Sequence, residues 1–287
     1  MGYGVFGISL TVITSPLYPL NGTREISRNV QHSDANRLSI LCITAPLWPM
    51  ESAGTICPMT TPRISYAHLL AKPNPKHIDS LLRFFEEGRS KRGTGGFGVE
   101  IEHLPVHNGD DTAVSYYEEN GVETLLKRIA PYYDKEKEYW ENGHLVGLGR
   151  ESIAVSLEPG GQVECSLGIL KTPQELLTLY RSFRRDIDPV LDELGFRLVN
   201  YGYQPKSGFA DVKVNPKDRY DAMTRYLGRV GQFGPCMMRC SASTQVSIDY
   251  VDEQDSIDKL RLGTIIGPIL AWYFRNTPYF EGAPNPW

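Results

Sequence analysis

The chain has 287 residues, of which 41% are hydrophobic, 10% aromatic and 22% charged, with 34 acidic against 30 basic side chains and a net charge of −4. This composition excludes a disordered, collagenous or coiled-coil chain, and the mild acidity gives no global pull toward nucleic acid or anionic lipid. No apolar run reaches the roughly 20 residues of a membrane span, so neither a nucleic acid nor a membrane is expected as partner. A small phosphorylated substrate stays compatible, provided metal ions supply positive charge.

Charge is unevenly spread. Residues 1–60 carry only Arg24, Glu25, Arg28, Asp34, Arg37 and Glu51, whereas the other 227 residues hold 58 charged side chains. Pro16, Pro19, Pro46, Pro49 and Pro58 punctuate the same stretch. Residues 1–70 are therefore expected to be an irregular or disordered extension, or a gene start set too far upstream, with Met50 or Met59 as the true first residue. Residues 71–287 would form the organised domain. Met1–Leu20 is apolar, but no basic residue precedes it and two prolines interrupt the place for a cleavage site. The five cysteines (42, 57, 165, 236 and 240) form no CxxC pair and find no completing histidine pair. Free thiols in a reducing cytoplasm are expected.

Along the organised region, Asn74-Pro75 starts a helix with Ile78, Leu81, Leu82 and Phe85 on one stripe, ending near Gly88. A glycine turn, Arg92–Gly96, leads into a strand over Phe97–Leu104. There Phe97, Val99 and Ile101 face one side, and Glu100 and Glu102 face the other. Ser115 and Glu118 have capping-box spacing ahead of Val122, Leu125, Leu126 and Ile129. Two alternating runs, Ser152–Glu158 and Gln162–Leu167, are joined by Pro159-Gly160-Gly161 as a hairpin. Thr172-Pro173-Gln174-Glu175 opens a long helix that closes at Gly195, with Pro189 inside it. A strand is predicted over Phe196–Tyr203, a helix from Asn215-Pro216 to Gly231, and a long strand over Met238–Tyr250. A last helix runs from near Asp255 to about Phe274.

Parallel strands would be apolar on both faces, and these are polar on one. The predicted class is α+β: a largely antiparallel sheet with helices on one face. Gly93, Gly95 and Gly98 match G-x-G-x-x-G, but this run follows a helix and opens a strand, the reverse of a dinucleotide fingerprint. His103 and His107, four apart on strand and loop, do not suggest a metal pair.

The acidic positions are more informative. Glu100 and Glu102 share one strand face about 7 Å apart. Glu158 and Gln162 flank the hairpin turn, Glu164 follows on the same face, and Gln245 lies on the polar face of the long strand. If these strands share a sheet, four carboxylates and a carboxamide converge on one surface. That oxygen-only set suits Mg²⁺, which is held by a few carboxylates plus substrate phosphates.

These residues carry a resemblance. Gly98-Val99-Glu100-Ile101-Glu102 resembles the G-x-E-x-E strand of the plant and proteobacterial type of glutamate–cysteine ligase. Leu157–Glu164 resembles the E-P-G-G-Q-x-E hairpin of that family. Pro216–Tyr220 with Met223, Met237-Met238, Ser243–Asp249 and Asn276-Thr277-Pro278 with Gly282 resemble its later motifs, so the likeness covers about residues 75–282.

The resemblance implies a glutamine-synthetase-like catalytic sheet and a two-step, ATP- and Mg²⁺-dependent reaction. The γ-carboxylate of L-glutamate is phosphorylated, and the amine of L-cysteine then displaces phosphate. By the same likeness, Glu100, Glu102, Glu158, Glu164 and Gln245 hold two or three Mg²⁺ ions. Gln162 is a neighbouring ligand or a residue behind the ligands, Ser241 contacts substrate, and Arg219 is the catalytic cation on the glutamate carboxylate or the transferring phosphate. The family continues past the Gly282 region with a further substrate arginine. Three outcomes stay open: the cysteine ligase, a ligase for another amine, and a shortened relative that binds nucleotide or metal without turnover.

Overall fold

In a computed structural model the described residues are 8–12, 75–90 and 94–286. The elements in chain order are β1 (Ile8–Val12), α1 (Pro75–Glu87), β2 (Phe97–His107), α2 (Val122–Ile129), β3 (Tyr139–Glu141), β4 (His144–Arg150), β5 (Ile153–Leu157), β6 (Val163–Leu170), α3 (Pro173–Leu194), β7 (Phe196–Val199), α4 (Asp218–Val230), α5 (Gly234–Cys240), β8 (Thr244–Ile248), α6 (Glu253–Tyr273), β9 (Tyr279–Phe280) and β10 (Ala283–Pro284). The main sheet runs β1-β8-β2-β6-β5-β4-β3, with β7 pairing the far end of β2, and every pairing is antiparallel. The α+β reading holds.

Alternation along the strands decides which face is covered. Val99 on β2, Ile153, Val155 and Leu157 on β5, and Val163, Cys165 and Leu167 on β6 are buried in one apolar cluster with α2 and α3. From α2 come Val122, Leu125, Leu126 and Ile129, and from α3 Phe183, Ile187, Val190, Leu191 and Leu194. The long helix α3 begins as its capping box predicts: Thr172 accepts from the Glu175 N–H at 3.2 Å, and Gly195 closes it at φ 79°. The Ser115–Glu118 box also forms, with Glu118 accepting from the Ser115 N–H at 2.7 Å. It closes a turn, however, and the helix itself starts only at Val122.

His103 lies on the helix-covered face, where its ring nitrogens meet the Val163 carbonyl at 3.0 Å and the Tyr180 hydroxyl at 2.9 Å. Burial, with Arg184 nearby, holds its pKa at about 4 against an ordinary 6.5. A histidine kept neutral only in the fold makes the unfolded chain bind more protons below 6.5, so stability falls as pH drops from 6.5 toward 4. The expected loss is on the order of 3 kcal/mol over that window. Urea melts at pH 7.5 and pH 5 check it; the pH-dependent part of the loss should shrink in His103→Gln.

Two predicted strands are corrected. The strand after α3 ends at Val199 rather than Tyr203. The run from Met238 to Tyr250 is not one strand: Gly234–Cys240 is α5, and only Thr244–Ile248 pairs in the sheet. Pro235 in the first turn favours a helix, and the Met237 N–H bonds back to the Phe233 carbonyl at 2.9 Å. Cys236, Met238 and Cys240 are buried all the same, through helix packing rather than strand alternation. Cys165, Cys236 and Cys240 are free and buried.

Within the segment expected to be irregular, Ile8–Val12 is instead a strand pairing β8 from Ile8↔Ile248 to Val12↔Thr244. The remaining residues up to 74, with Cys42 and Cys57, lie outside the described residues.

Candidate active site

Antiparallel register brings the acidic residues together on the face opposite α2 and α3. Glu100 on β2 stands across from Ser166 on β6 and Gln245 on β8. Glu102 stands directly across from Glu164, which in turn faces Ser156 on β5. Opposed side chains in such a ladder are about 5 Å apart, and like charges so placed destabilise the sheet.

Hydrogen bonds fix the two central carboxylates. Ser243 donates its N–H to Glu102 Oε2 at 2.9 Å and its hydroxyl to Oε1 at 2.9 Å, and Gln245 donates to Oε1 at 3.0 Å. Glu164 Oε1 accepts from the Ser156 hydroxyl at 2.9 Å and from Ser166 at 3.0 Å. Glu158, one residue past β5, lies 3.6 Å from an Arg219 nitrogen and 3.5 Å from the Tyr220 hydroxyl.

Burial and mutual repulsion act together on these carboxylates. Burial, then the Glu164 and Glu102 charges, push Glu158 up to about 7 against the opposing pull of Arg219 and Lys217. Burial and Glu164 also raise Glu100 above the usual carboxylate range. Glu102 is raised by burial and Glu164 although its bonds from Ser243 and Gln245 pull the other way. Hard oxygen donors repelling one another on one face fit a divalent cation, which would remove the repulsion. Among the described residues no three His, Cys, Asp or Glu side chains close around a single point. Glu100, Glu102, Glu158 and Glu164 are the carboxylates that would hold such an ion, whose charge would offset their repulsion.

The hairpin turn places Glu158 and Glu164. The Glu158 N–H bonds the Gln162 carbonyl at 2.9 Å, and Gly161 takes φ 85°. Gln162 is buried with both ends of its amide engaged: Oε1 accepts from the Gly160 N–H at 2.7 Å, and Nε2 donates to the Ser241 carbonyl at 2.8 Å and the Met238 carbonyl at 3.4 Å. Gln162 thus ties the turn to the end of α5, behind the acidic face. The Ser241 hydroxyl donates to the Met237 carbonyl at 2.5 Å, closing α5. Arg219, on the first turn of α4, does reach the edge of the acidic group.

Ser156, Ser166, Ser243, Lys217 and Tyr220 belong to the same arrangement without having been singled out as site residues. Ser156 and Ser166 alternate with Glu158 and Glu164, so the strand pattern itself marks them as facing the same way. Nothing local marks Tyr220, whose place on an apolar helix stripe reads as core.

Comparison with known proteins identifies the family. The profile of the Glutamate-cysteine ligase family 2 matches residues 96–287. Among relatives, the chloroplastic glutamate–cysteine ligase of Nicotiana tabacum is 32% identical over 225 residues, covering 78% of this chain and 42% of the relative. That of Solanum lycopersicum is 30% identical over 269 residues, covering 92% and 48%. That of Arabidopsis thaliana is 36% identical over 211 residues, covering 74% and 40%. The chain thus spans less than half the length of these relatives. Their chloroplastic location overturns the expectation of a cytoplasmic protein: free thiols report a reducing compartment, not which one. Among the described residues no helix is long and apolar enough to cross a membrane. With two thirds of its length matched by the family profile, the chain belongs to the glutamate-cysteine ligase family 2.

Proposed function

We propose that this chain carries the catalytic sheet of an ATP- and Mg²⁺-dependent ligase that joins the γ-carboxylate of L-glutamate to the amine of L-cysteine through a γ-glutamyl phosphate. The observation that carries this reading is the Glu102–Glu164 pair with Glu100, Gln245 and Glu158 around it, partly buried carboxylates repelling one another on one face. Bound Mg²⁺ would supply the charge that neutralises the ATP phosphates and the moving phosphoryl group. The protein's own part is placement. Ser243 and Gln245 hold Glu102, Ser156 and Ser166 hold Glu164, and the Gln162 amide fixes the turn that carries Glu158. Arg219 offers a guanidinium to the γ-carboxylate or to the transferring phosphoryl group. Such a transfer asks little covalent chemistry of the protein and much placement of charge. The relatives' chloroplastic location makes the plastid the proposed compartment.

The test is to incubate the purified chain with ATP, Mg²⁺ and L-glutamate, add L-cysteine or other amines singly, and measure ADP and peptide. ADP release that requires L-cysteine is the expected result, and release with a different amine would reassign the acceptor. A second reading, a relative that binds Mg²⁺–nucleotide without turnover, is the other outcome that the same assay distinguishes. Nucleotide binding with no ADP release under any combination would establish it.

A further inference from the structure

Tyr220 is 1% exposed on the first turn of α4, and its hydroxyl joins three groups. It donates to the Leu157 carbonyl at 2.7 Å, accepts from an Arg219 nitrogen at 2.6 Å and lies 3.5 Å from Glu158 Oε1. A phenol has one proton. At these distances it goes to Leu157, so the oxygen turns its lone pairs toward Arg219 and leaves the Glu158 carboxylate undonated. The ring acts as well: the Arg219 guanidinium carbon sits 4.7 Å from its centroid and Lys217 Nζ 5.6 Å. Lys217 donates to the same Leu157 carbonyl at 2.7 Å, so that one oxygen anchors the start of α4 to the end of β5.

The Arg219 side chain is 61% exposed, and Glu158 at 3.6 Å is too far to fix it by a hydrogen bond. A long exposed side chain of this kind ordinarily samples many rotamers. Here the pose is set by a buried neighbour that is itself pinned to the sheet.

We propose that Tyr220 is a positioning residue: its hydroxyl and ring hold the Arg219 guanidinium beside Glu158, so that an anionic substrate group meets a fixed cation. What Arg219 meets rests on the ligase reading above; how it is held does not. Removing a hydrogen bond to a charged group should weaken use of that group by about tenfold.

The experiment uses Tyr220→Phe in the full chain, with Tyr226→Phe, an exposed tyrosine on the same helix, as control. The first readout is ¹⁵N NMR of arginine side chains, with Arg219→Lys assigning the signal. The wild-type chain should show separate, slowly exchanging Arg219 Nη resonances, which Tyr220→Phe should average while Tyr226→Phe leaves them intact. The second is the ligase assay, where Tyr220→Phe should raise KM for L-glutamate about tenfold and leave KM for ATP within twofold. In an Arg219→Lys background the same substitution should then change KM for L-glutamate by less than twofold. If the Arg219 signals stay separate in Tyr220→Phe, the proposal is overturned. It also fails if both KM values rise together or if the double variant loses the full tenfold again. If Tyr220→Phe frees the guanidinium but no amine supports turnover in the wild-type chain, the positioning stands and the ligase reading fails. Thermal melts of each variant confirm that the signals are read on folded protein.

Discussion

Glu164→Gln is expected to have opposite effects on the metal-free chain and on its Mg²⁺–nucleotide complex. Without metal the substitution removes the charge that stands across from Glu102 and that raises Glu100, Glu102 and Glu158. The amide oxygen can still accept from Ser156 and Ser166, so geometry survives while repulsion goes. Stability of the metal-free chain should rise by about 0.5–1 kcal/mol, the scale of a like-charge cross-strand pair. With Mg²⁺ and nucleotide the same change would remove the charge of a proposed ligand oxygen, and Mg²⁺-dependent nucleotide binding and ADP release should be lost. Thermal melts with and without Mg²⁺–ATP check both halves. A Glu164→Gln chain that melts like wild type in both conditions would sink the metal-face proposal. A residue that were merely structural would lose stability in both conditions, so the sign change is the informative part.

Gly160→Ala is expected to cost about 3 kcal/mol, combining overpacking with broken buried hydrogen bonds. A Cβ at Gly160 would overlap the Arg239 carbonyl oxygen and come within 2.9 Å of its carbon and of Val212 Cγ1. The obstacle is largely backbone, which cannot rotate out of the way. The turn would have to lift off α5, taking with it the Gln162 bonds to Ser241 and Met238. Glu158 would then move relative to α4 and Arg219, so activity should fall together with stability. Gly109→Ala, where a Cβ would meet nothing within 4 Å, is the matched control and should be near neutral. Urea melts of the two variants decide it. Equal midpoints would show that the hairpin does not depend on its close approach to α5.

The local rules in the sequence were reliable where the signal lay within a few residues. Thr172 with Glu175 and Gly195 delimit α3, and Pro159-Gly160-Gly161 marks the β5–β6 turn, because caps and turns are satisfied by near neighbours. Alternation also placed Glu100, Glu102 and Glu164 on one side of their strands. It failed at Met238–Ser243, where alternate apolar residues fit a short helix wedged against Tyr203 and Val212 equally well. Period alone does not separate these cases in a short segment.

By itself, then, the sequence determined the α+β class, the hairpin, the sidedness of the acidic strands and the motifs shared with the ligase family, all set by period, capping and turn chemistry. Only the tertiary structure decided that Glu102 faces Glu164 rather than a neighbour two residues away, since register is fixed by pairing between distant segments. It also decided that the Gln162 amide is engaged behind the face, that Ser243 grips Glu102, and that Tyr220 steadies Arg219. These are contacts between residues 63 to 141 positions apart or oriented by such contacts, and no local pattern encodes which of them will meet.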